Sequence, residues 1–354
     1  MSALQQEVLI TLVKVVVIFG ALLGIFSGMT YLERRMLAFM QYRLGPNRTG
    51  PLGVLQPIAD GIKLFFKEEV TPAGANRWLF VAAPGVAVVT AFMAMAVVPW
   101  GGSVTVGGRE VPLQIADLDV GILYIFAVSS LGVYGIVLAG WSANNKYTLM
   151  GGLRSSAQMF SYELALGLSW VGVIMLASSF RISDIVASQA GGFWNWNISP
   201  VHWLQGQGLV MGQTLGFLVY LIAATAEVNR TPFDLPEAEA ELVAGFHTEY
   251  SSMRFALLQM AEYVNMITVS AIGASVFFGG WLAPVPALQA PFGFDLGLLW
   301  FLLKMAAGLF FFVWLRGTLP RVRYDQLMHF GWKVLVPLAT LNILATAFFI
   351  TFLR

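Results

Sequence analysis

Apolar runs of about twenty residues recur eight times along the chain, near 8–32, 78–99, 119–140, 157–180, 210–229, 255–282, 296–315 and 334–353. A helix rises about 1.5 Å per residue, so each run is long enough to cross a hydrocarbon core of roughly 30 Å. The pattern predicts an all-α integral membrane protein: one polytopic domain over residues 1–354, with eight transmembrane helices. No tandem repeat is visible. Nor are the paired, interrupted mid-membrane helices that mark a stand-alone secondary transporter. The first run is longer than the core of a signal peptide and ends in Glu33-Arg34-Arg35 without a small-residue cleavage site, so it reads as a retained span.

Basic residues between the runs set an orientation. The first loop carries seven lysines and arginines, the third two, the fifth two and the seventh four. The even loops offer only Arg109 and Arg181. By the positive-inside tendency the odd loops face the cytoplasm and both termini face outward. The outward loops, 101–118, 183–209 and 283–295, are rich in Gly, Trp and Pro and read as connections with aromatic interface anchors.

Composition agrees with a lipid environment: 58% of residues are hydrophobic and 11% are charged, against about 25% charged in soluble domains. A net charge of +1 without a basic cluster gives no footing for nucleic acid. The chain has no cysteine, which excludes thiolate-held iron–sulfur clusters and catalytic thiols. His202, His247 and His329 lie far apart without metal-ligand spacing, and no glycine-rich dinucleotide fingerprint is present. Electrons used in any redox role must come from a partner.

The first cytoplasmic loop, 34–77, begins with a turn-rich bend over 43–51 that cannot be regular helix. Leu55, Ile58, Ile62, Phe65 and Phe66 then fall on one helical face and Asp60, Lys63 and Lys67 on the other. This predicts a short amphipathic helix lying in the membrane interface. It is either a surface strut or one wall of a lipid-accessible opening, with Arg34, Arg43 and Asp60 supplying polar contacts.

The fifth loop, 229–254, is acidic. Glu227 and Arg230, three residues apart, are expected to share a helix face, and the prolines of Thr231-Pro232-Phe233-Asp234-Leu235-Pro236 break the helix. Asp234 and Glu237 fit a capping box, with Glu237 and Glu241 aligned one turn apart. First-turn acids stabilise a helix dipole by about 0.3–1 kcal/mol each, which accounts for Glu237 and Glu239. Glu227, Glu241 and Glu249 remain, and their readings stay open: a cation site, a proton reservoir, or a docking surface for a basic partner.

Charges also enter the spans, where each costs about 2.5–3.5 kcal/mol on insertion scales. Glu163 lies nine residues beyond Arg154 and Glu262 eight beyond Arg254, depths of about 13 and 12 Å. Lys304 lies twelve residues before Arg316, about 18 Å deep. It is expected to face the bundle interior and find a carboxylate. Lys14 and Glu33, near the ends of the first span, are placed to snorkel and read as mostly structural. Glu227, Glu262, Glu163 and Lys304 together suggest a polar path from the cytoplasmic edge toward mid-membrane.

Taken in order, Glu33-Arg34-Arg35, Arg43-Leu44-Gly45-Pro46-Asn47-Arg48, Leu55-Gln56-Pro57-Ile58-Ala59-Asp60, Ser161-Tyr162-Glu163-Leu164, the stretch 227–237, Ala261-Glu262-Tyr263 and the stretch 321–328 form a long, specific set. The chain resembles, over about residues 8–353, the H-subunit family of bacterial proton-translocating NADH:quinone oxidoreductases (respiratory complex I).

That resemblance implies a subunit at the junction of the electron-transfer arm and the membrane arm, in a bacterial cytoplasmic membrane. It would border a chamber through which the quinone tail enters. Quinone is then a substrate, while FMN and iron–sulfur clusters belong to partner subunits, and this chain by itself binds no cofactor and no metal. The soluble quinone-site subunits and neighbouring membrane subunits are the implied partners. Arg34, Arg43, Asp60, Arg230 and Phe233 correspond to residues of the quinone chamber. Glu227, Asp234, Glu237, Glu239, Glu241 and Glu249 correspond to the acidic coupling loop, and Glu163, Glu262 and Lys304 to the start of the charged axis. The second to sixth spans resemble a half-channel unit of antiporter-like subunits. Ser130 occupies a position where some members carry glutamate, which counts against a path needing a carboxylate there. The alternatives are the homologous anchor of a membrane-bound hydrogenase or other donor-linked dehydrogenase, and a docking scaffold that moves no protons.

Overall fold

Helices account for nearly all regular structure in the computed structural model, which describes residues 3–106, 109–204, 208–235, 243–290 and 295–352. Among the described residues, seven helical segments are long and apolar enough to cross a membrane. They are α1 (Ala3–Met40), α3 (Arg77–Ala94, extended by a 3-10 turn), α4 (Gly121–Ser142), α5 (Lys146–Ala177), α8 (Ser252–Phe277), α9 (Gly297–Thr318), and the joined pair α10 (Tyr324–Phe330) and α11 (Val336–Phe352). A π-helical turn, Gly331–Leu335, joins the last two. Short helices are α2 (Gln56–Phe66), α6 (Ile182–Ser188) and α7 (Thr214–Glu227).

The eighth expected span, 210–229, is where structure and expectation part. Its helix, α7, has 14 residues. At about 1.5 Å per residue that is roughly 21 Å, short of a full hydrocarbon core. Residues 208–211 belong instead to a strand paired with 201–204. A second hairpin pairs 103–106 with 109–112. Among the described residues both hairpins lie in even loops, and these two are the only sheets. In the other direction, α5 begins eleven residues before the expected 157, its N-terminus capped by Asn145, whose side chain accepts from the Tyr147 amide.

Close helix packing rests on small residues, as is usual in membranes. A Cβ on Gly135 of α4 would lie 2.8 Å from the Ala87 Cβ of α3, and one on Gly140 would lie 2.7 Å from the Thr148 carbonyl of α5. Both contacts pin α4 between its neighbours. Trp170, Tyr162, Phe80 and Phe277 fill the interior. By contrast α1 packs on α2, α8 and α9 but leaves most of its apolar length outward-facing, including Val13, Val16 and Val17.

The amphipathic helix forms as expected. None of its residues is buried, and Ile58, Ile62, Phe65 and Phe66 are all more than half exposed, as suits a helix with its apolar face in lipid. The far end of α2 is tied to α8: the Ser252 hydroxyl donates to the carbonyls of Leu64 and Lys67, both at 2.8 Å.

Candidate functional site

A cavity of about 540 Å³ opens between α1, α2 and α8, within the usual size range of a small-molecule site. Its apolar walls include Phe26, Leu64 and Met260, and its polar groups include Arg34, Asp60, Arg230, Tyr263 and Arg316. Arg34 donates to the Asp60 carboxylate at 2.5 Å, joining α1 to the amphipathic helix, and Gln56 donates to the same carboxylate at 3.1 Å. Three expected chamber residues, Arg34, Asp60 and Arg230, are therefore brought together. Two are not. Arg43 lies in the exposed bend and donates to Gln41, and the Phe233 ring is buried against Tyr162 at 5.8 Å. The local reason is the turn: Arg43 follows the last helical residue of α1 by three positions, and Phe233 is drawn inward by the clamp described below.

Behind the cavity lies a charge cluster that sequence reasoning missed. Glu33, placed by sequence to snorkel, is instead 3% exposed and accepts from both Arg230 and Arg316. Two arginines from distant parts of the chain offset its charge, which lets the carboxylate stay buried. The Arg230 guanidinium also lies 4.5 Å over the Tyr263 ring. Burial disfavours the Arg230 charge, but Glu262, Glu33 and Tyr263 around it more than offset that and hold the guanidinium above its ordinary range. Glu262 thus meets the cluster electrostatically through Arg230.

Glu227 and Arg230 do not share a helix face. The helix ends at Glu227, and Asn229 takes a left-handed φ of 55°, which turns the chain. Glu227 therefore points toward α4, where Ser129 donates to it, while Arg230 turns to Glu33. The adjacent residue on α4, Ser130, donates to Glu163 of α5. Glu227 and Glu163 are near enough to repel when both are ionised. Glu227 and Ser129 border a second, smaller cavity of about 40 Å³ that also meets Thr90, Asn265 and Thr268.

A clamp holds this turn. Gln158 of α5, fully buried, donates to the carbonyls of Ala226 and Phe233, each at 2.7 Å. It ties the last turn of α7, whose Ala226 carbonyl also accepts from the Asn229 amide, to the Phe233 carbonyl of the loop that follows. A lone glutamine in an apolar run is the signal that could have found it.

In the acidic loop, Asp234 is paired with Arg321 at 2.8 Å, and Glu249 accepts from Asn145 at 2.6 Å; the expected capping box of Asp234 and Glu237 lies outside the described residues. Glu237, Glu239 and Glu241 lie outside the described residues. Lys304 corrects another expectation. Its ammonium donates to three backbone carbonyls, Phe278 at 2.6 Å, Gly280 at 2.8 Å and Leu282 at 2.6 Å, and lies 4.2 Å from the Trp196 ring. Among the described residues it makes no ion pair. Carbonyls of the cap residue and of the turn that follows α8, close to the negative dipole end of that helix, replace the carboxylate. Lys304 is therefore not joined to Glu163 or Glu227 by any contact described. No group of three potential metal ligands occurs among the described residues.

Comparison with known proteins adds to this geometry. A family profile described as NADH dehydrogenase matches residues 13–347. The chain is 49% identical, over 99% of both sequences, to a protein of Koribacter versatilis named as an H-type subunit of NADH-quinone oxidoreductase. It is 50% identical to the similarly named protein of Geobacter sulfurreducens, covering 99% of this chain and all of that one. A third such protein, from Geobacter metallireducens, is also 50% identical over 98% of each.

Proposed function

The chain belongs to the NADH dehydrogenase family, as the H-type membrane subunit of NADH-quinone oxidoreductase, and on that premise we propose that two of its cavities divide the work of quinone access and proton coupling. The observation that carries this reading is the cavity between α1, α2 and α8, walled by a lipid-facing amphipathic helix and edged by Arg34, Asp60, Arg230 and Tyr263. An isoprenoid tail would enter past the exposed face of α2, and the polar rim would orient the head.

In this reading two electrons reach the quinone from a partner subunit's iron–sulfur cluster, supplied in turn through FMN, since this chain has no cysteine to hold a cluster. Reduction places negative charge in a low-dielectric chamber. At an effective dielectric near 20, one charge at about 8 Å changes a neighbour's energy by roughly 2 kcal/mol. That perturbs the Glu33–Arg230–Arg316 cluster, to which Glu262 is coupled, and beyond the turn at Asn229 it biases Glu227 and Glu163. Asp234 and Glu249 are engaged within this chain by Arg321 and Asn145, which favours coupling over simple docking of a partner at these two positions.

The enzyme is a proton-translocating oxidoreductase in the bacterial cytoplasmic membrane, and its soluble quinone-site subunits and adjacent membrane subunits are this chain's partners. The charge bias of the loops sets both termini on the outer side, with α7 completing an eighth, shortened crossing. The names of the relatives lend no support to a hydrogenase anchor.

The test is NADH-driven quinone reduction and proton pumping in membranes carrying Glu227→Gln, with assembly checked on a native gel. Intact assembly with pumping lost supports coupling through Glu227. Wild-type pumping sinks it.

A further inference from the structure

Hydroxyls inside apolar helices usually return their hydrogen to a carbonyl about one turn earlier on the same helix. Thr90, Ser161, Thr225, Thr268 and Ser270 all do so, at 2.7–2.9 Å. Ser129 and Ser130 depart from that habit, since both direct their hydroxyls across to carboxylates on other helices. Neighbouring positions on a helix lie about 100° apart around its axis. Hence one serine faces Glu227 of α7 and the next faces Glu163 of α5. The backbone contacts at Gly135 and Gly140 hold α4 against α3 and α5, so this division cannot be relaxed by rotating the helix.

We propose that Ser129 and Ser130 are a pair of positioning residues that aim the two membrane carboxylates and reverse their own hydrogen bonds whenever a carboxylate gains or loses a proton. An ionised carboxylate only accepts, so the serine must donate to it. When a proton arrives on the carboxylate, the new acid O–H can donate, and the serine hydroxyl rotates to accept it. One proton is added to the carboxylate and the serine keeps its own. The freed serine hydrogen then needs another acceptor. At Ser129 the cavity shared with Thr90, Asn265 and Thr268 offers that, with room for about two or three waters by volume. Two separate hydroxyls also let Glu227 and Glu163 change state singly, although the two repel each other when both are charged.

The inference rests on the proton-coupling reading above, and the experiment separates the two. Assembled enzyme carrying Ser129→Ala, Ser130→Ala, Ser129→Thr or Ser130→Thr is compared with Glu227→Gln and Glu163→Gln. Assembly is checked by native gel, pumping is measured per electron, and the carboxylic acid C=O stretch is followed by redox-induced infrared difference spectroscopy. Losing a hydrogen bond to a charged group is expected to cut pumping about tenfold in each alanine variant, and threonine to restore it to within about twofold. The C=O band should move in the alanine variants and return with threonine. Should an alanine variant fail to assemble, the cysteine variant, similar in size but a weak donor, is held to the same expectation. Impaired glutamine variants beside serine variants that pump normally with an unmoved band would overturn the serine assignment alone. Normal pumping in Glu227→Gln and Glu163→Gln would instead remove the reading on which it rests.

Discussion

The Glu33 carboxylate accepts from the Arg230 guanidinium at 3.2 Å, and both side chains are withdrawn from the surface although 197 residues separate them in the chain. Buried pairs of this kind are costly to break, because the surviving charge stays desolvated. Glu33→Ala is therefore expected to lower stability by about 3–5 kcal/mol. Glu33→Gln, which keeps an acceptor, should cost less. Thermal unfolding of the detergent-solubilised enzyme checks this, and an unchanged midpoint in Glu33→Ala would show that the cluster carries no structural load.

Gln158→Leu removes the side-chain donor to the Phe233 carbonyl, whose loss costs about 1–3 kcal/mol, while the Ala226 carbonyl keeps the Asn229 amide. The turn after α7 should then open. Hydrogen exchange over residues 226–235 is expected to accelerate while α3 and α4 keep their protection. Uniform exchange across the whole chain would mean that the clamp serves the fold generally instead of this turn.

Arg34 and Asp60 form an ion pair that remains partly exposed, 52% and 25% by side chain. Such pairs contribute only about 0–1 kcal/mol. Arg34→Ala should leave unfolding within about 1 kcal/mol of wild type. If the pair edges the quinone path, the KM for a long-tailed quinone rises several-fold. A large loss of stability with unchanged KM would assign the pair to folding.

Lys304→Met preserves the reach of the side chain but removes the ammonium donor from the Phe278, Gly280 and Leu282 carbonyls just after α8. Charged donors to such carbonyls are worth about 1.5–3 kcal/mol, so the variant should melt earlier. Pumping per assembled enzyme should be kept, since no described contact links Lys304 to Glu163 or Glu227. Lost pumping at unchanged stability would restore Lys304 to a charged path through the membrane.

How much of this was legible beforehand follows from the range of the forces involved. The amphipathic helix was readable because its stripe of Leu55, Ile58, Ile62 and Phe66 is a local period of about 3.6 residues. The spans were readable because burying apolar length in lipid needs no knowledge of neighbours, except at α7, where a hairpin takes the residues that would have lengthened the helix. Arg34, Asp60 and Arg230 were expected at one chamber and line one cavity, but the placement of Arg43 and Phe233 away from it was not legible.

The sequence by itself determined that the chain is a polytopic helical membrane protein of a recognisable family, with unusual charges at Glu163, Glu227, Glu262 and Lys304. Only the tertiary structure decided what those charges face. Glu33 turned out to be shared by two arginines, Lys304 to be bound by carbonyls, and Glu227 and Glu163 to be met by adjacent serines. Hydropathy and charge bias are properties of short stretches of chain. A partner is chosen by how each helix is rotated and where its neighbour ends, and small-residue contacts such as Gly135 on Ala87 set that rotation between segments far apart in sequence.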